Sequence, residues 1–324
     1  MTGPAEGILI VNKEAGMTSA DVVSRVRRLY GIRRVGHTGT LDPFATGVLP
    51  VCIGRATAAA TFMLNWIKRY RCEIRLGYAT STMDPEGQAT KKASRPSLWR
   101  RFLDQSDMGA SQDLEKAVAS LTATTFQQAP RYSAVKVNGK PLYHYARQGQ
   151  EVERPVRPVT VYEAGLLGVR ADESGYPLVA VEFLVSSGTY IRSLADKLGE
   201  ELGCPGHAAS LVRLATGHFD LSSACRLDQL TDDLTDLLHP VGDAFCGWPR
   251  LRLSRAQALD LAYGRAIIIA EQGLEAAEAV PGRLSPPPDD SWLACLLEDH
   301  LVAVGRRGED GFRARRVFVQ PEEL

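Results

Sequence analysis

One carboxylate in this 324-residue chain is set apart by its neighbours. Asp42 lies in Gly36-His37-Thr38-Gly39-Thr40-Leu41-Asp42-Pro43-Phe44-Ala45-Thr46-Gly47-Val48-Leu49-Pro50. Its glycines permit backbone angles that other residues resist, while Pro43 fixes its own φ and pushes Asp42 towards an extended conformation. Loops specified this tightly often present a functional side chain. The plainer alternative is an Asp-Pro turn. Tyr70, further along, has chemistry of its own: a phenol ring stacks on a nucleobase or exchanges a proton.

The spelling Gly-His-Thr-Gly-x-Leu-Asp-Pro-x-Ala-x-Gly-x-Leu-Pro resembles the catalytic motif of the TruB family of tRNA pseudouridine synthases, with Asp42 on the family's catalytic aspartate. Further segments resemble the same family in the same order. Gly7 to Lys13 with Gly16-Met17-Thr18-Ser19 is similar to its opening strand and turn, and Lys68-Arg69-Tyr70-Arg71 to the segment with its active-site tyrosine. Gln128 to Arg147 is similar to its RNA-clasping insertion, placed at about 128–150. Ser187-Gly188-Thr189-Tyr190-Ile191-Arg192 matches a third active-site segment, and Leu211 a pocket leucine. The resemblance runs from about Gly7 to Phe219 and weakens beyond.

This resemblance implies uridine isomerisation at tRNA position 55, in the T-loop. The uracil leaves its ribose carbon, turns, and rejoins through C5, so one group must manage charge during the exchange. Asp42 suits that as nucleophile or electrostatic stabiliser, and the resemblance pairs it with Arg192, whose charge favours the ionised carboxylate. Tyr70 and Tyr190 would line the pocket with Leu211. The buried uridine must be flipped out first, at a cost of a few kcal/mol. His37 resembles the family's loop histidine beside the flipped nucleotide. Arg55, Lys68, Arg69 and Arg147 are the expected RNA contacts. Where many members read Gly-x-Ala-Thr-Lys, this chain has Gly54-Arg55-Ala56-Thr57-Ala58, so either Arg55 partly replaces the missing lysine from a different angle or that contact is lost and binding is weaker or more salt-sensitive. The reaction is redox-neutral and calls for no metal or organic cofactor. A glycosidase would also use a carboxylate beside a sugar carbon but wants a second one. Asp84 is the nearby candidate and reads as a turn residue.

Composition agrees with a multidomain enzyme. The length exceeds the ~250–300 residues at which one core usually stops growing. No apolar run approaches the ~18 residues of a membrane span. Met1-Thr2-Gly3-Pro4-Ala5-Glu6 lacks the marks of a signal peptide, so a cytoplasmic protein is expected. Cys52, Cys72, Cys204, Cys225, Cys246 and Cys295 are scattered, which argues for reduced thiols and against a zinc site. The 38 basic residues balance 38 acidic ones overall, but residues 1–101 carry 16 against 7. Arg25, Arg27, Arg28, Arg33 and Arg34 lead into the Asp42 loop, either as a phosphate-tracking surface or as a solvated helix face.

The elements that must position these residues form a mixed α/β (α+β) fold. Ile8 to Val11 reads as a strand, and Thr18 to Asp21 caps an amphipathic helix carrying Val22, Val23, Val26 and Leu29. Tyr70 to Leu76 and Leu178 to Val185 alternate in the strand period. Leu194, Leu198 and Leu202 mark a helix ended by Gly203, with Arg192 at a strand-to-helix junction. If Tyr190 lies in the strand, it shares a face with Arg192. Around Trp248-Pro249 the pattern changes, and Pro286-Pro287-Pro288 breaks the chain again. The expected domains are 7–247, catalytic and largely antiparallel, and 248–324, which resembles the family's small PUA-like β-rich domain. No long heptad pattern is present, and the resemblance favours a monomer.

Overall fold

The computed structural model describes residues 6–93, 102, 112–231, 234–269, 274–276, 287–309 and 311–324. The Met1–Ala5 part of the N-terminal expectation and Pro286 lie outside these residues. In chain order the elements are β1 (Gly7–Lys13), α1 (Ser19–Tyr30), β2 (Val35–His37), β3 (Thr46–Ile53), β4 (Lys68–Leu76), β5 (Phe126–Gln128), β6 (Val156–Pro158), β7 (Val161–Ala171), β8 (Pro177–Val185), α2 (Ile191–Glu201) and β9 (Gly206–Thr216). The C-terminal elements are β10 (Arg250–Arg252), α3 (Arg255–Ala262), β11 (Leu274–Glu275), β12 (Trp292–Leu297), β13 (His300–Gly308) and β14 (Gly311–Val317). No helix among the described residues is long and apolar enough to cross a membrane. All six cysteines are free thiols.

The chain divides into two compact units. The first comprises 1–42, 47–66 and 216–324. Its strand β1 pairs antiparallel with β3, Leu9 opposite Val51, and β2 pairs with the same strand. Helix α1 starts where Thr18 caps it. The Thr18 hydroxyl accepts from the Asp21 N–H, and the Asp21 carboxylate accepts from the Thr18 N–H at 2.8 Å. This reciprocal box is the signal that Thr-Ser-Ala-Asp carries in the sequence. Gly31 ends the helix in the left-handed region, φ 64°. Val22, Val23 and Val26 are buried as expected, whereas Leu29 in the last turn is 49% exposed.

The C-terminal strands form a five-stranded sheet in the order β11-β10-β12-β13-β14, antiparallel except for the parallel β10/β12 pair. Leu251, Leu261, Leu293, Val302 and Phe312 give it a core. Trp248, Ala294, Leu301 and Phe318 pack in a second cluster with Ile8, Val48 and Trp66 from the start of the chain. Phe62 meets Phe245, Trp248 and Trp292 edge-on at 5.2–5.6 Å, a geometry aromatic quadrupoles favour.

The second unit comprises 43–46 and 67–215. Its sheet runs β7-β8-β4-β9. In the antiparallel β8/β4 pair Tyr70 lies opposite Phe183 and Lys68 opposite Val185. Alternate residues of β4 are buried, from Lys68 and Tyr70 through Cys72 and Ile74 to Leu76, because one face is turned to the core. Helix α2 buries Ile191, Leu194, Ala195 and Leu198. The short pair β5/β6 stands at the base of the segment expected to clasp RNA, with Gln127 opposite Arg157.

Candidate active site

Asp42 is half-buried at the end of a backbone stretch pinned from α1. The Ser19 hydroxyl, buried at the first helical position, accepts from the Leu41 N–H at 2.9 Å and donates to the Leu41 carbonyl at 3.3 Å. Gly39 (φ 140°) and Gly47 (φ 104°) take angles that disfavour a side chain, which accounts for two of the loop's glycines. His37 is half-buried, and its Nδ1 accepts from the Gly39 N–H at 3.3 Å, which leaves the proton of a neutral ring on Nε2. Arg25, Arg27, Arg28, Arg33 and Arg34 are exposed, which a phosphate-tracking surface and a solvated helix face both require.

In the second unit Tyr70 and Lys68 point to one face of β4, two residues apart, and both are buried. Burial, with the charge of Arg213 second, pushes the Lys68 ammonium down to about 7. Lys68 is therefore no surface cation. Arg69 faces the other way and pairs with Glu182 at 2.8 Å and Glu163 at 3.4 Å. Leu211, 5% exposed, sits on β9 beside β4. Arg147 is exposed on the short helix Leu142–Arg147, its guanidinium 5.5 Å from the Tyr143 ring centre. In the first unit Arg55 is held by Glu6 and Glu323.

Arg192 is 3% exposed, and its polar contacts reach well beyond its own segment. Its Nη1 donates to the Thr82 carbonyl at 2.8 Å and to Asp84 Oδ2 at 3.2 Å, and its Nη2 to the Tyr132 carbonyl at 2.9 Å. Asp84 does sit in a turn, accepting from the Glu86 N–H at 3.0 Å, but the turn also aims its second oxygen at Arg192. Reading Asp84 as a turn residue captured half of its role. A spacing of 108 positions hides the other half from local sequence patterns.

The expected shared strand face of Tyr190 and Arg192 is not what forms. Strand β8 stops at Val185, Gly188 turns the chain at φ 80°, Tyr190 caps α2 and Arg192 lies in its first turn. Glycine in the left-handed region ends the extended run that a period-two reading assumed. Sequence reasoning also passed over Gln127. Its side chain accepts from the Tyr190 N–H at 2.8 Å and donates to the Tyr190 carbonyl at 3.3 Å.

Known proteins resemble this chain in sequence and in fold. A model of the TruB family pseudouridylate synthase N-terminal domain matches residues 27–191, and one of the tRNA pseudouridylate synthase B C-terminal domain matches 192–244. The tRNA pseudouridine synthase B of Geobacillus thermodenitrificans is 44% identical over 256 residues, covering 77% of this chain and 81% of the relative. That of Bacillus anthracis is 39% identical over 266 residues, 80% of this chain and 83% of the relative. Among solved structures, a Cbf5-Nop10-Gar1 complex contains a chain with TM-score 0.69 and 21% identity, covering 98% of this chain and 86% of that one. The archaeal box H/ACA sRNP Nop10-Cbf5 complex gives 0.65 at 20%, covering 98% and 88%. These last two show a common fold. With a family model over half its length and such identities over most of it, the chain belongs to the TruB family of pseudouridine synthases.

Proposed function

We propose that this chain isomerises uridine to pseudouridine at position 55 in the tRNA T-loop, and that Asp42 is the group on which the exchange depends. The N1–C1′ bond breaks and the C5–C1′ bond forms. One proton leaves C5 and one is gained at N1, so no electrons enter or leave. Asp42 meets the charge that develops at the sugar or base, as nucleophile or as stabiliser. Tyr70 and Tyr190 stack on or exchange protons with the flipped base, with Leu211 as apolar wall. Arg192, fixed by Asp84, Thr82 and Tyr132, supplies positive charge that does not wander.

The insertion closes over the T-arm, and Arg147 with the exposed arginines of α1 and its following turn tracks the phosphates. RNA reaching Arg55 or Arg69 must displace the carboxylates they now hold. His37 sits beside the extruded nucleotide. Residues 7–247 act as the catalytic domain and 248–324 as a PUA-like accessory domain. The protein works as a monomer in the cytoplasm and needs no cofactor.

The observation that carries this reading is the 44% identity, over 77% of the chain, to a protein named tRNA pseudouridine synthase B. The test incubates unmodified tRNA transcript with wild type and with Asp42→Asn, then maps pseudouridine by carbodiimide adducts and primer-extension stops. A stop at position 55 with wild type alone is expected. A stop of equal strength with Asp42→Asn, once deamidation is excluded, removes Asp42 from the chemistry. No stop with wild type, despite tight tRNA binding, overturns the enzymatic reading.

A further inference from the structure

Three contacts join the insertion to the segment carrying Tyr190 and Arg192. Gln127, the middle residue of β5, is 8% exposed and closes both hydrogen bonds on the backbone of Tyr190. Tyr132, inside the insertion, receives a guanidinium hydrogen bond from Arg192 at 2.9 Å. The half-buried ring of Tyr190 packs on the insertion's own small core of Ala129, Val135 and Leu142.

The buried amide of Gln127 is the informative member. A primary amide taken out of water is costly unless its donor and acceptor are both satisfied, and here both act on one residue. Tyr190 is the N-cap of α2. Its carbonyl accepts from the Ser193 and Leu194 N–H groups at 3.1 and 3.3 Å, but the Tyr190 side chain adds nothing to the cap. Serine, threonine or aspartate at that position would normally reach back to the helix N–H groups, which a phenol does not do. The Gln127 amide adds a hold on both sides of this residue, on the N–H that the helix leaves unused and on the carbonyl, and so on the direction of the phenol and of the first turn holding Arg192.

We propose that Gln127 is a positioning residue for the reaction: it fixes the backbone of Tyr190 from the base of the insertion, coupling the state of the insertion to the placement of Tyr190 and Arg192. The inference rests on the reading that Tyr190 and Arg192 serve pseudouridine formation. Gln127 itself needs no contact with RNA. Its contribution belongs to the chemical step, because small misplacements of reacting groups slow chemistry far more than they weaken binding.

The test compares full-length wild type with Gln127→Leu and Gln127→Glu. Three quantities are read: the single-turnover rate on tRNA transcript, the tRNA Kd, and hydrogen exchange at the Tyr190 amide in the free protein. For Gln127→Leu the rate per folded molecule falls about 10- to 100-fold, Kd stays within about 3-fold, and the Tyr190 amide exchanges faster. In Gln127→Glu the ionised carboxylate keeps the bond from the Tyr190 N–H but sets an oxygen against the Tyr190 carbonyl. Protonation restores a donor there, so the activity of this variant relative to wild type rises as pH is lowered. Read per folded molecule, this rescue separates the two roles: for a residue that only holds the fold together, activity would rise no more than the folded fraction does.

Gln127→Leu with wild-type rate, or with a rate loss equal to its unfolded fraction, overturns the proposal. So does unchanged Tyr190 amide exchange. Wild type without pseudouridine formation is a separate result. It sinks the functional reading, and the positioning role falls with it.

Discussion

The Asp84 carboxylate lies 3.2 Å from the Arg192 guanidinium, and both side chains are within 4% of complete burial. A buried ion pair gains little over a well-packed apolar one, but removing one member strands a charge and typically costs about 3–5 kcal/mol. Asp84→Ala is therefore expected to lower unfolding free energy by about that amount. Asp84→Asn should cost less, because its amide oxygen can still accept from the Glu86 N–H. Urea titrations of the two variants check the order. Equal stability of Asp84→Ala and wild type would mean the pair carries no structural weight. With Arg192 loosened, turnover should fall further than tRNA affinity in both.

Lys68 gives a pH prediction. Its folded-state pKa is about 7 against 10.5 for the free side chain, with burial the leading cause and Arg213 the second. Below pH 7 both folded and unfolded chains carry the proton, and the folded protein bears the full penalty of a buried charge. Between pH 7 and 10.5 the unfolded chain binds more protons, so the Lys68 contribution to stability rises with pH. The slope is at most about 1.4 kcal/mol per pH unit. Lys68→Met removes this slope. Its stability relative to wild type should be highest near neutral pH and decline as pH approaches 10.5, which denaturation at several pH values will show. A constant difference would mean that Lys68 titrates normally in the folded protein.

Much of this was legible in the sequence because local chemistry decided it. The alternation along Lys68–Leu76 survives folding since that strand turns one face to a core, whereas in Pro177–Val185 it holds only from Val179 to Phe183, because Leu178 and Leu184 on the other face are buried too. Thr18 and Asp21 cap α1 with groups three residues apart. The glycines and prolines around Asp42 announce a loop whose shape is built into its backbone. What stayed hidden depends on partners distant in the chain. Asp84 could be read as a turn but not as the mate of Arg192, and Gln127 gave no signal at all. Arg55 was expected to face RNA as a substitute for a lysine, yet Glu6 and Glu323 engage it from opposite ends of the chain. Tyr190 failed for a local reason, a glycine turn at Gly188 that the strand period overran.

Two glycines separate conformational cost from crowding. Gly31, φ 64°, ends α1 with nothing within 4 Å of where a Cβ would stand. Gly217, φ 58°, has Trp66 Cε3 at 2.4 Å from that point, and Trp66 is 1% exposed. Gly31→Ala should cost about 1–2 kcal/mol for the left-handed backbone alone. Gly217→Ala adds overpacking of about 1–3 kcal/mol to a similar backbone term. Thermal or urea denaturation of the pair measures the difference. Equal losses would show that Trp66 can move aside without cost.

Arg55 and Arg147 test which cations meet RNA. The Arg55 guanidinium already has two carboxylate partners, so an arriving phosphate would replace one anion by another and gain little. Arg147 is exposed, and among the described residues no carboxylate pairs with it. A phosphate reaching it adds a contact and releases a counterion. Arg147→Ala is expected to weaken tRNA binding several-fold and to reduce the slope of log affinity against log salt by about one contact. Arg55→Ala should change affinity less than about 2-fold with the slope intact, while costing up to about 1 kcal/mol of stability per lost surface pair. Filter binding of tRNA across a salt series reads both. A larger loss of slope at Arg55 than at Arg147 would mean that RNA displaces Glu6 or Glu323, and Glu323→Gln would then tighten binding instead of leaving it unchanged.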